Sequence, residues 1–344
     1  MSQGDLFAPH PFAPGDRNEP KGAVHAASVD DELRAVAARM PPNVYLGTSS
    51  WSFPGWSGIV YGDTHSEQQL ARRGLPAYAA HPLFATVGLD RTFYNPVSVE
   101  VMADYAASVP AHFRFLVKAH EALTLARYPM HARYGAQRGQ TNALYLDVAW
   151  ARDQVVAPFV DGLRDKAGVL LFQMSPAPAE VLAGSGTKEK SAARRFAERM
   201  YRFLRDLPKG PRYAVEIRTP ELITPDLAGC LRATGVAPCF ASMPGLPPVE
   251  AQASLLGDTG APVFAARWLL AHHRDYDGAR AAYEPFNRLV EPDRVTRGAL
   301  VELIKRALAT GVPVYVIVNN KAEGSSPLSV AALARALVDE ALVP

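Results

Sequence analysis

Charged side chains interrupt one short apolar run at alternate positions. Glu216 and Arg218 lie in the run Tyr213–Arg218, where Val215 and Ile217 are apolar. Residues two apart in a β-strand share a face, so the two charged side chains point one way and the apolar pair points the other. A lone buried charge is costly, and this face therefore needs a partner from the protein or from a ligand. A carboxylate beside a guanidinium suits proton transfer and the binding of an anion.

Most of the other apolar runs also end in polar residues. The same alternation directs Asp90, Lys118 and Arg267 to the inner face of three further runs. The remaining polar residues at or just after run ends are Thr48, Ser50, Gln173, Asn319 and Asn320. If these runs are parallel strands of one barrel, we expect the side chains to converge in one pocket at the carboxyl ends of the strands.

The charges at these run ends are unequal. Five cations lie there or next door, and they are Lys118, Arg218, Arg267, Arg91 and Lys321. Only two carboxylates, Asp90 and Glu216, oppose them. A local positive excess favours an anionic ligand bearing a phosphate or a carboxylate. The competing interpretation is a ring of internal salt bridges that only closes the barrel mouth.

The elements that must position these residues alternate along the chain. The short β-rich runs are Val44–Ser49, Phe84–Asp90, Phe113–Ala119, Gly168–Met174, Tyr213–Arg218, Val236–Ser242, Pro262–Trp268 and Pro313–Asn319. The clearest helical patterns are Asp30–Met40, Ser66–Ala80, Val99–Ser108, Trp150–Lys166, Ala192–Leu207, Leu222–Ala233, Arg297–Thr310 and Val330–Val343. Eight βα units predict an α/β fold, a TIM (β/α)8 barrel spanning residues 30–344, with an open doubly wound sheet as the alternative. The sixth unit is the weakest, because Pro244–Thr259 shows no convincing helix.

Three irregular segments complete the organisation. Residues 1–29 are rich in proline and lack an apolar signal core, which predicts a disordered N-terminal arm. Long loops at 120–149 and 270–293 follow strands, so we expect both to shape the site.

Composition limits the partners and the location. The net charge of +2 does not indicate non-specific binding of nucleic acid through bulk charge. There are two cysteines and no apolar run long enough to span a membrane, so we expect a cytoplasmic protein without a membrane partner.

The loop after the first strand is rich in aromatic residues. Trp51 adjoins the strand and is a candidate wall for a sugar or a base, with Ser52 beside it. The alternative is that Trp51 and Trp56 merely pack over the barrel mouth. Tyr94, after the second strand, is a further candidate for the wall.

Several blocks in order resemble one family, the YecE-like proteins or domain of unknown function 72. The blocks are Leu46–Pro54, Thr92–Tyr94, Phe113–Ala119, Phe172–Pro176, Val215–Arg218 and Val316–Asn320, within a resemblance that runs from about Val44 to Leu333. The resemblance implies a TIM barrel similar to the xylose-isomerase and endonuclease-IV groups, and no settled reaction.

The chain departs from the family pattern at four places. Gly88 and Asp90 stand where the second strand usually carries Glu and Asn, and Asn95 replaces an arginine. Thr219 replaces a histidine, and Arg267–Leu270 replaces Arg-Leu-His-Gly. Two candidate proton-transfer groups are therefore absent, which favours a divergent branch with an altered substrate or a binding-only protein.

The leading hypothesis is an enzyme, a hydrolase or a lyase, that acts on a small anionic metabolite or a nucleic-acid fragment. The candidate catalytic residues are Glu216, as acid or base, with Lys118 and Asp90. The candidate substrate-binding residues are Trp51, Ser52, Tyr94, Gln173, Arg218, Arg267, Asn319 and Asn320.

Four alternatives stay open. One is a barrel that binds a ligand or nucleic acid without catalysis, and another is a scaffold for protein partners. A third is a glycosidase that uses Asp90 and Glu216 as its two carboxylates. The fourth is a divalent-metal enzyme, although no cofactor is predicted, because the ligand candidates Asp90, His120 and Glu216 lack a metal-binding spacing.

Overall fold

Parallel strands close into a barrel in chain order, with the last strand hydrogen-bonded to the first. The computed structural model describes residues 22–177 and 191–341. Its strands are β1 Val44–Thr48, β2 Thr86–Leu89, β3 Arg114–Lys118, β4 Ala167–Gln173, β5 Tyr213–Glu216, β6 Ala237–Ser242, β7 Phe264–Trp268 and β8 Val314–Val318. The TIM (β/α)8 barrel is therefore confirmed, and the open sheet is wrong because β1 and β8 pair along their full length.

The inside of the barrel is a packed apolar core rather than a pore. Its buried side chains are Leu116, Val169, Leu171, Ala214, Ala237, Cys239, Val263, Ala265, Tyr315 and Ile317. Tyr45 stacks on Tyr315 with 4.5 Å between ring centroids. Because apolar side chains fill the middle of the barrel, an accessible site can form only at the ends of the strands.

Helices surround the strands in the expected order. They are α1 Asp31–Ala38, α2 Glu67–Arg73, α3 Leu75–Ala79, α4 Arg91–Tyr94, α5 Val99–Ala107, α6 Val148–Ala151, α7 Ala192–Asp206, α8 Pro225–Thr234, α9 Val249–Leu256, α10 Tyr276–Tyr283, α11 Arg294–Ala309 and α12 Ser326–Ala341. Side-chain oxygens cap several helix starts: Ser191, for example, accepts from the backbone N–H of Arg194. In the described part of the chain, no helix has the length and apolarity that a membrane crossing requires.

The sixth unit differs from the prediction, because helix α9 occupies Val249–Leu256. This helix is only eight residues long, and its buried face carries a polar residue, Gln252. The side-chain amide of Gln252 accepts from the Ala241 N–H at 3.3 Å and donates to the Ala241 carbonyl at 2.8 Å. These bonds tie the helix to β6, and a periodicity search does not detect such tertiary contacts.

The irregular segments lie where the site forms. Part of the predicted arm, residues 22–29, hydrogen-bonds to the loop after β1, with Ala27 N–H donating to the Val60 carbonyl at 2.9 Å. Residues 1–21 of that prediction lie outside the described residues. The loop at 120–149 is held by Asn142, which donates to the carbonyls of Ala122 and Leu125, each at 2.7 Å. The loop at 270–293 contains α10.

We predict that Gly47→Ala destabilises the barrel. Gly47 lies in β1, and a Cβ there would overlap the backbone oxygen of Thr86 in the neighbouring strand. Overpacking of this kind costs about 1–3 kcal/mol. Urea unfolding followed by tryptophan fluorescence measures the change.

Gly229→Ala is the matched control for this substitution. Gly229 lies exposed in α8, and a Cβ there meets no other atom within 4 Å. Replacing a mid-helix glycine with alanine stabilises a helix by about 0.5–1 kcal/mol. Equal effects of the two substitutions would contradict the close approach of β1 and β2.

Candidate functional site

Two arginines hold one buried carboxylate at the carboxyl end of the barrel. Arg267 Nη1 donates to Glu216 Oε2 at 2.8 Å, and Arg218 Nε donates to Glu216 Oε1. Gln173 Oε1 accepts from Arg267 Nη1 at 2.8 Å and from Arg218 Nη2 at 3.1 Å. The ends of β4, β5 and β7 are therefore joined by one charged network.

A second ion pair adjoins this network. Lys118 Nζ lies 3.1 Å from Asp90 Oδ1, and Arg267 Nη2 lies 3.8 Å from the same oxygen. Lys118 also sits 5.1 Å from the centroid of the Phe93 ring. Arg267 thus contacts both carboxylates and lies at the centre of the cluster.

Strand register explains this convergence. Gln173 at the end of β4 is the backbone partner of Glu216 at the end of β5. Ala265 in β7 and Leu116 in β3 belong to the barrel core. Arg267 and Lys118 come two residues later in the same strands, so they share the inward face. The alternation that fills the core therefore directs the next inward residue of each strand toward the same point.

Burial and charge together set the protonation of Glu216. Burial would raise the pKa of the Glu216 carboxyl, but the charges of Arg218 and Arg267 outweigh burial and lower it to about 2. Glu216 is therefore an ionised counter-ion at neutral pH.

For Lys118, in contrast to Glu216, burial outweighs the neighbouring charges in setting the pKa. Burial lowers the pKa of Lys118 to about 8, although the nearby Asp90 carboxylate opposes the shift. An amine with this pKa exchanges a proton readily near neutral pH.

A cavity of about 810 Å³ opens above the charged cluster. Asp90, Lys118, Gln173, Arg218 and Arg267 line its inner part. Its other lining residues include Tyr94, Glu121, Tyr128, Met130, Arg133, Tyr134, Met243, Leu270, Tyr276, Asn319 and Lys321. The cavity is therefore charged at its floor, and its walls carry several tyrosine rings among polar and charged side chains.

The structure brings most of the sequence-predicted residues to this cavity. Those that line it are Asp90, Lys118, Tyr94, Gln173, Arg218, Arg267 and Asn319. Glu216 lies beneath them with 0% exposure and does not line the cavity. Asp90 and Glu216 cannot flank one glycosidic bond, because Arg267 contacts both and Glu216 is inaccessible.

Three predicted substrate-binding residues, Trp51, Ser52 and Asn320, lie outside the cavity. The Trp51 indole N–H donates to the Leu70 carbonyl at 3.1 Å, so this ring packs beneath the loop instead of forming a wall. Ser52 pairs with Ser50 at 3.3 Å between hydroxyl oxygens and does not line the cavity. Spacing alone did not show which way this loop folds back.

Asn320 has a structural position. Its Oδ1 accepts from the Trp56 indole N–H at 3.2 Å and from the N–H and hydroxyl of Ser326, each at 2.8 Å. Asn320 thus fixes the start of α12, and it does not line the cavity. Arg91, counted among the five cations, begins α4 and is also absent from the lining.

The long loops and the segment after β6 supply lining residues that the strand ends did not predict. Arg133 pairs with Glu121 and lies 5.1 Å from the Tyr94 ring centroid. Met243 contacts Arg218, and Tyr276 comes from α10. The only sequence signal was the Arg- and Tyr-rich composition of the loops, which predicts a role in the site but no particular side chain.

Metal ligation finds no support in the described residues. Within 22–177 and 191–341, no group of three or more His, Cys, Asp or Glu side chains is placed to hold a metal ion. His120, one of the candidate ligands, accepts from the Ala122 N–H at 3.1 Å.

Comparison with known proteins identifies the family. The family model described as "Protein of unknown function DUF72" matches residues 45–343. The chain belongs to the DUF72 family. A comparison with curated proteins gave no match.

Two solved DUF72 structures share the fold. A DUF72 family protein from Thermotoga maritima is 18% identical, with a TM-score of 0.53 over 86% of this chain and 99% of that chain. Another from Enterococcus faecalis is 15% identical, with a TM-score of 0.52 over 86% of this chain and 95% of that chain. At this identity the likeness establishes the barrel and does not assign a reaction.

We predict that Glu216→Gln destabilises the protein by about 3–5 kcal/mol, because it leaves two buried guanidinium groups without their carboxylate. Glu302→Gln is the control, since Glu302 forms an exposed pair with Lys305 at 3.0 Å. Loss of such a pair costs at most about 1 kcal/mol. Urea midpoints at neutral pH compare the two, and equal losses would refute the buried network.

The same carboxylate predicts a pH dependence. The folded-state pKa of Glu216 is lowered to about 2 from an ordinary value of 4.5. Its stabilisation is therefore present above the unfolded-state pKa and is lost as the pH falls toward the folded-state value. The stability gap between wild type and Glu216→Gln should be constant from about pH 7 to 5 and should narrow below about pH 4.5. A gap that widens on acidification would contradict the ionised state.

Proposed function

We propose that the cavity binds a small substrate bearing a phosphate or carboxylate, and that the protein is an enzyme that acts on it. Lys118, Arg218 and Arg267 bind the anionic group, while Lys118 and Asp90 also transfer protons. Glu216 is assigned the role of a fixed counter-ion, in place of the acid or base expected from the sequence.

The excess of buried cations at the cavity floor carries this proposal. The side chains of Lys118, Arg218 and Arg267 are only 8%, 9% and 3% exposed. Two carboxylates, Asp90 and Glu216, pair with these three cations, so the cluster as a whole keeps a net positive charge. In a desolvated site that charge acts on a ligand with little screening by water.

Unused hydrogen-bond donors support the same conclusion. The Lys118 ammonium has three N–H groups, and among the described residues its one polar partner is Asp90. Arg218 Nη1 contacts the thioether of Met243, which is a weak acceptor. Arg267 Nε is buried and has no partner among the described residues. Oxygen atoms of a bound anion would supply better acceptors for the donors that face the cavity.

The purely structural alternative fits these contacts less well. Buried ion pairs stabilise proteins poorly, and a closing ring of salt bridges would favour equal numbers of the two charges. An open cavity of about 810 Å³ above the ring also has the size of a small-molecule site.

A binding barrel without catalysis is the second candidate function. The inaccessibility of Glu216 favours it, because Asp90 is then the one strand-end carboxylate that lines the cavity within the described part of the chain. A nucleic-acid fragment would present the same phosphate chemistry and could place a base on the aromatic wall around Tyr94.

We predict that inorganic phosphate and citrate raise the melting temperature of the protein more than sodium chloride of equal ionic strength does. Lys118→Met should weaken phosphate binding about tenfold or more, since it removes a charged contact of about 1.4 kcal/mol or more. Lys305→Met, at a half-exposed lysine on α11 outside the cavity, is the control and should bind as wild type. Equal phosphate stabilisation of the wild type and Lys118→Met would contradict the assigned site.

Asp90→Asn separates catalysis from binding. In a screen of phosphorylated and carboxylated metabolites, this variant should lose about 10²–10⁴-fold in turnover of any substrate found. It should bind that substrate at least as tightly, because a negative charge beside the anion is removed. Unchanged turnover would eliminate Asp90 as a proton-transfer group and favour the binding barrel.

A further inference from the structure

Lys321 is a second lysine of the cavity, and the proposed function gives it no catalytic role. It lies just after β8 and is 6% exposed. Its ammonium lies 4.1 Å from the Tyr276 ring centroid and 5.6 Å from that of Phe286. The two aromatic rings belong to the loop at 270–293, so this loop and the end of β8 build the position together.

The Lys321 ammonium differs from the other described lysines. Lys118 and Lys305 pair with carboxylates, and Lys166 and Lys209 donate to backbone carbonyls. Among the described residues, no carboxylate or hydrogen-bond acceptor contacts the Lys321 ammonium. Its polar end therefore faces aromatic rings and the cavity, where a ligand can reach it.

The backbone around Lys321 is fixed on both sides. Its carbonyl accepts from the Ala271 N–H at 3.0 Å, and its own N–H donates to Asn319 Oδ1 at 3.0 Å. Phe286 has a left-handed backbone, with φ of 67°, which is unfavourable for a bulky residue. Strained positions of this kind cluster at functional sites, and this one places the Phe286 ring beside the amine.

Desolvation favours the neutral form of the Lys321 amine. Burial lowers the pKa of Lys321 to about 8, with Arg280 acting in the same direction and Glu284 opposing it. The lowered pKa brings the neutral amine within reach near neutral pH. A desolvated lysine in an apolar pocket is the usual form of a nucleophilic amine.

We propose that Lys321 forms an imine with its substrate, so that the anion bound in this cavity is an aldehyde or a ketone. This inference rests on the proposed function, because Arg218 and Arg267 would hold the carboxylate or phosphate while the carbonyl carbon reaches Lys321.

The proposed step balances without an oxidant or a metal. The neutral amine attacks the carbonyl carbon and a C–N bond forms, then the nitrogen loses one of its protons and the carbonyl oxygen gains one to give a neutral carbinolamine. A second proton on that hydroxyl group lets it leave as water, and the product is a protonated imine. The Lys118 ammonium is the proton donor. Asp90 accepts a proton from the carbon beside the imine, and the C–H electron pair forms the C=C bond of an enamine.

Reductive trapping tests this chemistry directly. The full chain is incubated with pyruvate or glyoxylate and sodium cyanoborohydride, then digested and analysed by mass spectrometry. We expect a reduced adduct on Lys321 at a yield at least tenfold above that on Lys209 or Lys305. Inorganic phosphate should reduce this yield by competing for the arginines.

Two variants control the trapping. Lys321→Arg keeps the charge but cannot form an imine, so the adduct should disappear from a chain whose folding circular dichroism verifies. Lys305→Arg should give the wild-type adduct on Lys321. An adduct on Lys118 alone, equal labelling of exposed lysines, or no adduct at all would overturn the imine proposal.

Failure of this inference and failure of the anion site give different results. If phosphate stabilises the wild type but no adduct forms on Lys321, the imine is wrong and the anion site remains. If neither phosphate nor citrate stabilises the protein, the proposed function itself is wrong.

Discussion

The contact of Glu216 with Arg218 and Arg267 determines the organisation of the cavity floor. A guanidinium buried as deeply as that of Arg267, which is 3% exposed, requires a negative partner inside the protein. Glu216 supplies that charge to two arginines at once and remains ionised because of them. Gln173 accepts a hydrogen bond from each of the two guanidinium groups and so helps to fix their orientation. This network orients cations toward the cavity before any ligand arrives, and such preorganisation is what anion binding needs.

The other residues of the cavity surround this charged floor. Asp90 balances Lys118 and reaches Arg267, yet the group as a whole keeps a positive excess. The long loops place tyrosine rings and the Arg133–Glu121 pair around the cavity above this floor. Lys321 stands against this aromatic wall. The cavity thus combines a positively charged floor, the proposed anion site, with an amine on its side.

Much of the barrel and part of the site could be predicted from alternation alone. The period of two in Tyr213–Arg218 correctly separated Glu216 and Arg218 from the apolar pair that faces the helices. Alternation says nothing about depth, so it did not show that Glu216 lies below the accessible floor. It also failed in the loops, where Trp51 folds back onto Leu70 and Asn320 holds the start of α12. Helix α9 was missed because contacts of one buried glutamine position it.

The most direct test of the anion-binding floor is anomalous X-ray diffraction from crystals soaked in selenate, a heavier analogue of a bound oxyanion. The account predicts a selenium peak in the cavity, with selenate oxygens within hydrogen-bond distance of Lys118 and of Arg218 or Arg267. That peak should be absent from Lys118→Met crystals soaked in the same way. Selenate found only at surface lysines, with the charged cluster bare in the wild type, would contradict it.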